Sequence, residues 1–269
     1  MKLFGGAPAT LQTLQKKIKS FSDNRDLGAL IKNDSAEIIT EPFPHVVIDD
    51  FFTQEVYEKL LEHFNSVLSR GTSEVDGPNR FRPFLNLKGE FAYDGYIYTP
   101  RFGEPGAANF FYSLPWNLFF SSLFDQPTSW CTSMAYHFHP KGDKTGFVHH
   151  DYASKVFVEE DRISNGVVYR ARESAGRTKS YSKERRIISL LYYLGNDDWK
   201  EGDGGETGLY ASKEGSPVKL VAPKNNRMLA FQISPKSFHA FQQNNTPRSS
   251  IVQWFHVDEP WAKKKFGFL

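Results

Sequence analysis

The sequence predicts an α+β protein in which helices lead and strands follow. Two observations carry this. Residues 9–33, 53–68 and 107–125 place apolar side chains at helical spacing. From Trp130 onward, short β-prone runs follow one another at 131–139, 146–151, 187–194, 207–210, 217–221, 227–232 and 250–257, with Gly, Pro, Asn or Asp between them. Such a series is the pattern of an antiparallel barrel or a double-sheet jelly roll, and the leading helices would pack on one of its sheets.

The elements follow in order. Leu11, Leu14, Ile18 and Phe21 mark one or two helices in an N-terminal extension over residues 1–40, which Glu41-Pro42-Phe43-Pro44 ends. His45 to Phe52 is a short β-branched strand. Thr53 is positioned as the N-cap of a helix carrying Val56, Leu60, Leu61, Phe64, Val67 and Leu68. Gly71 to Gly77 reads as loop, and Pro115 marks or interrupts the Phe-rich helix over 107–125. Residues 155–186 fit neither half. They carry Arg162, Arg170, Arg172, Arg177, Arg185 and Arg186 among few large apolar residues, which suggests either a solvated insertion or a mobile flap over a site.

Composition bounds the function. A chain of 269 residues makes one large domain or two small ones. A net charge of +2 argues against nucleic-acid binding through a broad basic face and against a charged membrane anchor. No stretch approaches the roughly 18 apolar residues of a membrane span, and Met1 to Pro8 holds no apolar run of signal-peptide length. With one cysteine, Cys131, no internal disulfide can form, so a reducing cytoplasm is expected.

The residues with chemistry begin at Gly146-Phe147-Val148-His149-His150-Asp151. On a strand His149 and Asp151 share a face and His150 points away. An imidazole beside a carboxylate offers two ligands to a divalent metal, although His-x-Asp alone is as compatible with simple hydrogen bonding. His239, in Ser237-Phe238-His239-Ala240-Phe241, is a third candidate on another strand. It could equally be a core histidine. Two His and one carboxylate make the facial triad of non-haem iron oxygenases. Nine residues later stands Arg248, after turn-forming Gln242 to Pro247. A hairpin there would set it beside His239, where a guanidinium can hold a carboxylate in a bidentate pair. Two rivals remain at this point. The Gly-rich run 202–208 could be a phosphate loop, but it lacks the Gly-Lys-Ser/Thr ending and lies between strands. His137-x-His139 could be a cupin-like pair, but Pro140 to Phe147 holds no Glu.

Taken in order, His149-x-Asp151, Leu191-Tyr192-Tyr193-Leu194, Trp199, Asp203 to Tyr210, His239 and Arg248 resemble the prolyl 4-hydroxylase-like branch of the 2-oxoglutarate, Fe(II)-dependent oxygenases. The resemblance covers about residues 130–257, and Pro42 to Phe52 looks like the start of the family's catalytic domain, which would then run 41–269. It implies a double-stranded β-helix (jelly-roll) core, iron on His149, Asp151 and His239, and 2-oxoglutarate held at its distal carboxylate by Arg248, helped by Tyr193 and Ser250. O2 would be the oxidant and ascorbate an accessory reductant. Two departures stand out. Where many members have Tyr-Pro, this chain has His139-Pro140, so either His139 takes over that cosubstrate contact or the contact is absent. The chain between Asp151 and Tyr193 is also longer than in compact prolyl hydroxylases. The expected activity is hydroxylation of an unactivated carbon, with Asp151 filling the position that halogenases vacate for chloride. Because no repeat, tail or peptide-binding domain is evident, a small-molecule substrate is expected. The alternatives are a prolyl residue in a protein or peptide, a cupin-type enzyme without 2-oxoglutarate, and a non-catalytic binding module.

Overall fold

The computed structural model describes residues 27–33, 35–73, 80–83, 95–104, 106, 109–164, 166–172, 174–178 and 180–267. Most of the expected N-terminal extension, with Met1 to Pro8, lies outside the described residues, as do residues 74–77 of the expected loop. Of the extension's helix, a single turn, α1 (Leu27–Leu30), is described.

The fold is a double-stranded β-helix, a jelly roll of two antiparallel sheets. The larger sheet contains β1 (His45–Ile48), β2 (Arg82–Pro83), β3 (Tyr96–Tyr98), β4 (Thr132–His139), β5 (Ser154–Val158), β6 (Tyr181–Tyr193), β9 (Arg227–Gln232) and β11 (Arg248–Asp258). Its order is β1-β9-β6-β11-β4-β3-β2, with β5 paired to β6 off this path. The smaller sheet holds β7 (Thr207–Tyr210), β8 (Lys219–Val221) and β10 (Phe238–Phe241) in the order β10-β7-β8. Three more helices follow: α2 (Gln54–Leu68), α3 (Leu114–Phe124) and α4 (Glu259–Phe266).

Strand alternation divides the larger sheet into two chemically different faces. On β11, Gln253 and Phe255 face the helices. Phe120 of α3 stacks on Phe255 at 5.1 Å, and Trp116 Nε1 donates to Gln253 Oε1 at 2.8 Å. The Gln253 amide nitrogen donates to Phe111 O at 2.6 Å and Thr132 Oγ1 at 2.9 Å, so this buried amide is satisfied. Phe64 of α2 stacks on Tyr136 of β4 at 5.1 Å. Each buried aromatic of this layer contributes roughly 1.5–3 kcal/mol of apolar transfer. The opposite face, with Arg248, Ser250 and Trp254, looks into the space between the sheets.

Local signals explain the helix ends in part. Ser113 Oγ accepts from Trp116 N at 3.3 Å, Pro115 sits in the first turn of α3, and Asp125 closes it in the left-handed region at φ 50°. Thr53 holds the N-cap backbone position of α2, but its side chain makes no capping hydrogen bond.

Three expectations are corrected. Residues 146–151 are not a strand, and His149 makes only an isolated bridge to His239. Residues 239 and 248 do not form a hairpin: β10 lies in the smaller sheet and β11 in the larger, so Gln242 to Pro247 crosses between sheets. The segment 155–186 is not a loosely held flap. Its first strand, β5, pairs with β6 from Ser154↔Arg185 to Val158↔Tyr181, and Val156 bridges Arg172 on its other edge. Phe157, Val158, Val167 and Val168 are buried, with Phe157 edge-on to His256 at 4.6 Å. The window looks polar because its apolar residues form two short clusters whose partners lie elsewhere in the chain. Four of its six arginines are tied to carboxylates: Arg162 to Glu159, Arg172 to Asp161, Arg185 to Glu259 and Arg186 to Asp151.

Candidate metal and cosubstrate site

His149, Asp151 and His239 converge, each offering one ligand atom, with all three atoms within 4.8 Å of one another. The backbone pins the two histidines together: His239 N donates to His149 O at 2.8 Å and His149 N to His239 O at 3.1 Å. Both rings are oriented in the same way. Nδ1 of His149 donates to Phe147 O at 3.0 Å, and Nδ1 of His239 to Ser237 O at 3.1 Å. A ring nitrogen facing a carbonyl must carry the proton, so each Nε2 is left as a lone pair. These Nε2 atoms stand 3.8 Å from Asp151 Oδ1 and Oδ2 respectively. That spacing is too long for hydrogen bonds and suits three donors around one ion. His150 turns away, its ring 5.7 Å from that of Phe238.

The electrostatics suit a cation. Burial alone would raise the Asp151 pKa, but Arg186, His239, His149 and the Trp254 indole hold it well below the usual carboxylate range. Burial, then His149, lowers His239 to about 4, so it stays neutral and able to ligate. Trp254 Nε1 donates to Asp151 Oδ2 at 2.6 Å, Arg186 reaches Oδ1 at 3.3 Å, and the Arg186 guanidinium lies 4.0 Å from the Trp254 ring centroid. Two imidazoles with their Nε2 edges turned to an ionised carboxylate, already oriented, fit a divalent metal.

A second buried cluster lies on the same inner face. In the sheet register Arg248 is opposite His139, and Ser250 is opposite both His137 and Tyr193. Tyr193 Oη and Thr207 Oγ1 share a hydrogen bond of 2.7 Å, and an Arg248 amino group donates to Thr207 Oγ1 at 3.2 Å. The guanidinium is 5.1 Å from the Tyr193 ring centroid and 5.5 Å from that of Phe241. Ser250 Oγ is buried with no hydrogen-bond partner among the described residues. An unsatisfied hydroxyl beside a buried guanidinium and a phenol fits an anionic ligand with oxygen acceptors.

The Gly-rich run serves chain crossing. Gly204 has φ +76°, and a Cβ there would lie 1.8 Å from Gln243 O, so only glycine fits. Trp199 Nε1 donates to Gly204 O at 2.7 Å, which fixes the turn. His137 and His139 do not join the triad, which removes the cupin-like pairing.

Residues 134–256 match the family described as the 2OG-Fe(II) oxygenase superfamily. The likeness to that superfamily thus lies in the strand-rich part of the chain. The chain is also 34% identical over 79 residues to prolyl 3-hydroxylase OGFOD1 of Xenopus laevis, covering 27% of this chain and 15% of that protein. It is 32% identical over 85 residues to prolyl 3-hydroxylase sudestada1 of Drosophila melanogaster, covering 27% and 16%. The match therefore spans about a sixth of the length of these relatives. Among solved structures, a Pseudomonas putida prolyl-4-hydroxylase superposes with TM-score 0.52 at 15% identity, covering 79% of this chain and 92% of that one. A Trichoplax adhaerens prolyl hydroxylase in complex with a hypoxia inducible factor peptide fragment gives 0.52 at 16%, covering 82% and 86%. These likenesses establish the fold as prolyl 4-hydroxylase-like.

Two residues at this site carry no sequence signal of their own: Arg186 and Trp254. Arg186 is 35 residues from the carboxylate it contacts. Trp254 reaches the site only through strand alternation.

Proposed function

We propose that this chain is a 2-oxoglutarate- and Fe(II)-dependent hydroxylase acting on a prolyl residue of a protein or peptide. The observation that carries the reaction class is the convergence of His149, Asp151 and His239, joined by the buried Arg248, whose guanidinium lies over Tyr193. The prolyl target is supported by the two curated relatives, both prolyl 3-hydroxylases. They displace the small-molecule substrate expected from the sequence, which rested on the lack of a repeat or separate peptide-binding domain and has no support among the relatives.

In this reading His149 Nε2, His239 Nε2 and an Asp151 oxygen hold iron. Arg248, Tyr193 and Ser250 hold the distal carboxylate of 2-oxoglutarate. When bound, iron with 2-oxoglutarate and O2 supplies the oxidising power, with the keto acid leaving as succinate and carbon dioxide while one oxygen atom enters a substrate C–H bond. The protein orients: Phe147 O and Ser237 O fix the imidazole tautomers, and Trp254 and Arg186 fix the carboxylate. Asp151 fills its ligand position, which favours hydroxylation over halogenation. Ascorbate is the natural accessory reductant to include in assays.

Among the described residues no helix is long and apolar enough to cross a membrane. We place the enzyme in the cytoplasm, on the single cysteine: Cys131 is buried and its thiol is pushed up to about 12, chiefly by burial.

The test is succinate release with Fe(II), 2-oxoglutarate, ascorbate and a proline-containing peptide library, followed by mass analysis for one added oxygen on a prolyl residue. Coupled turnover confined to free small molecules would overturn the prolyl assignment, and no 2-oxoglutarate consumption on any substrate would overturn the class.

A further inference from the structure

Asp143 is a buried carboxylate, 6% exposed, for which the reaction described above has no use. It sits in the turn after β4, and that turn is clamped to the 241–246 crossing. Gly142 N donates to Asn244 O at 3.0 Å, Asn244 N to Asp143 O at 3.2 Å, Gly146 N to Phe241 O at 2.9 Å, and Asn244 Nδ2 to Pro140 O at 2.9 Å. The backbone carrying Asp143 is therefore fixed. Its side chain reaches the ring of His139, whose Nδ1 lies 3.2 Å from Asp143 Oδ2. Phe241 stacks on that ring at 4.3 Å and 14°, and the ring of His137 lies 6.5 Å from it.

Burying a carboxylate is costly, and an Asn could make a merely structural hydrogen bond at lower cost. What the charge adds is a choice of tautomer. An ionised carboxylate is acceptor-only, so His139 must present Nδ1–H to it. Burial and Arg248 keep the imidazole neutral. Nε2 is then an acceptor, held in a fixed plane. The residue opposite His139 in the sheet is Arg248, whose guanidinium offers only donors.

We propose that Asp143 is a positioning residue for the distal-carboxylate pocket: it fixes the tautomer and plane of His139, and His139 in turn sets the guanidinium of Arg248. The inference rests on the 2-oxoglutarate reading above and adds to it a chain of command, Asp143 to His139 to Arg248. It assigns His139 to aligning the arginine, where the family resemblance suggests direct contact with cosubstrate.

The test is calorimetric binding to the full chain loaded with Mn(II), without oxygen, using 2-oxoglutarate and 2-oxobutyrate. The second keto acid lacks the distal carboxylate, so it bypasses Arg248. Asp143→Ala and His139→Phe should each weaken 2-oxoglutarate about tenfold, the scale of a lost orienting partner. Both should leave Mn(II) and 2-oxobutyrate affinities unchanged. Asp143→Asn keeps the side-chain shape but can donate to Nδ1, and it should share the selective loss. Three results overturn the proposal. One is unchanged 2-oxoglutarate binding in Asp143→Ala and His139→Phe while Arg248→Ala loses it. Another is wild-type affinity in Asp143→Asn. The third is a parallel loss of both keto acids and of Mn(II), which would make the role structural. A wild-type chain that binds no 2-oxoglutarate would instead refute the underlying functional reading, and this inference with it.

Discussion

The indole N–H of Trp254 donates to Asp151 Oδ2 at 2.6 Å, while Arg186 engages Oδ1 of the same carboxylate at 3.3 Å. The carboxylate is thus oriented from the larger sheet before any metal arrives. Such outer partners are worth roughly 10–100-fold in metal affinity. Trp254→Phe keeps the ring under Arg186 but removes the donor. It should weaken Fe(II) or Mn(II) binding by roughly that factor with the melting temperature nearly unchanged. Metal titrations indistinguishable from wild type would show that the bond does not orient the ligand.

His149→Ala and His239→Ala should each abolish metal binding and all 2-oxoglutarate turnover, and His150→Ala should retain both. The contrast follows from the Nε2 atoms of the first two facing Asp151 while the third ring lies against Phe238. Metal content measured on purified variants decides it. Retention in His149→Ala with loss in His150→Ala would reverse the assignment.

Much of this geometry can be read from the chain, because extended backbone alternates its side chains whether or not it is hydrogen-bonded in a sheet. Residues 146–151 are not a strand, yet His149 and Asp151 still converge. Most of the late strands are legible too, from β-prone runs set between turn residues. The placement of Arg248 is not: a turn-rich 242–247 reads as a hairpin, and nothing local distinguishes a hairpin from a crossing between two sheets. Arg186 was lost inside an Arg-rich window where local composition points to solvent. Its partner Asp151 is distant in sequence, and Arg186 is placed by the β6–β11 pairing, where it stands opposite His256.

Arg248→Ala should raise the 2-oxoglutarate requirement far more than it disturbs metal binding. Arg248 is 3% exposed and lies over Tyr193 and Phe241. Removing one partner of a buried charge-assisted pair costs roughly 2–5 kcal/mol, because the facing carboxylate stays unpaired. The apparent constant for 2-oxoglutarate should therefore rise at least about 30-fold. A titration superimposable on wild type would sink the assignment.

The metal-free protein should lose stability on mild acidification. The folded chain keeps His239 neutral to about 4, against an ordinary value of 6.5. Between those values the unfolded chain binds a proton that the folded chain refuses, so stability falls as pH drops through the window and is level above it. At about 1.4 kcal/mol per unit, His239 accounts for roughly 3 kcal/mol. Burial moves His137, His139 and His256 in the same direction. Urea midpoints should fall between about pH 6.5 and pH 4 and flatten in part in His239→Gln. Midpoints that stay level down to about pH 4 would contradict the neutral assignment.

Shortening the insertion across Val167 to Ser182 should destabilise the fold and not merely alter access to the site. Val167 and Val168 are buried, Val168 bridges Cys131 and Arg162, and Tyr181 and Ser182 are the first residues of β6, paired with Val158 and Phe157. Removing them exposes Phe157, whose truncation to Ala alone would cost roughly 3–5 kcal/mol if its cavity does not collapse. Arg185 and Arg186 lie just past the cut, after Lys183 and Glu184, so the orientation of Asp151 should suffer as well. Two readouts separate the effects. The melting temperature of Phe157→Ala should drop by several degrees while its metal affinity holds, whereas the shortened variant should lose both. A shortened variant as stable and as metal-avid as wild type would return the segment to the solvated-loop reading that its composition suggests.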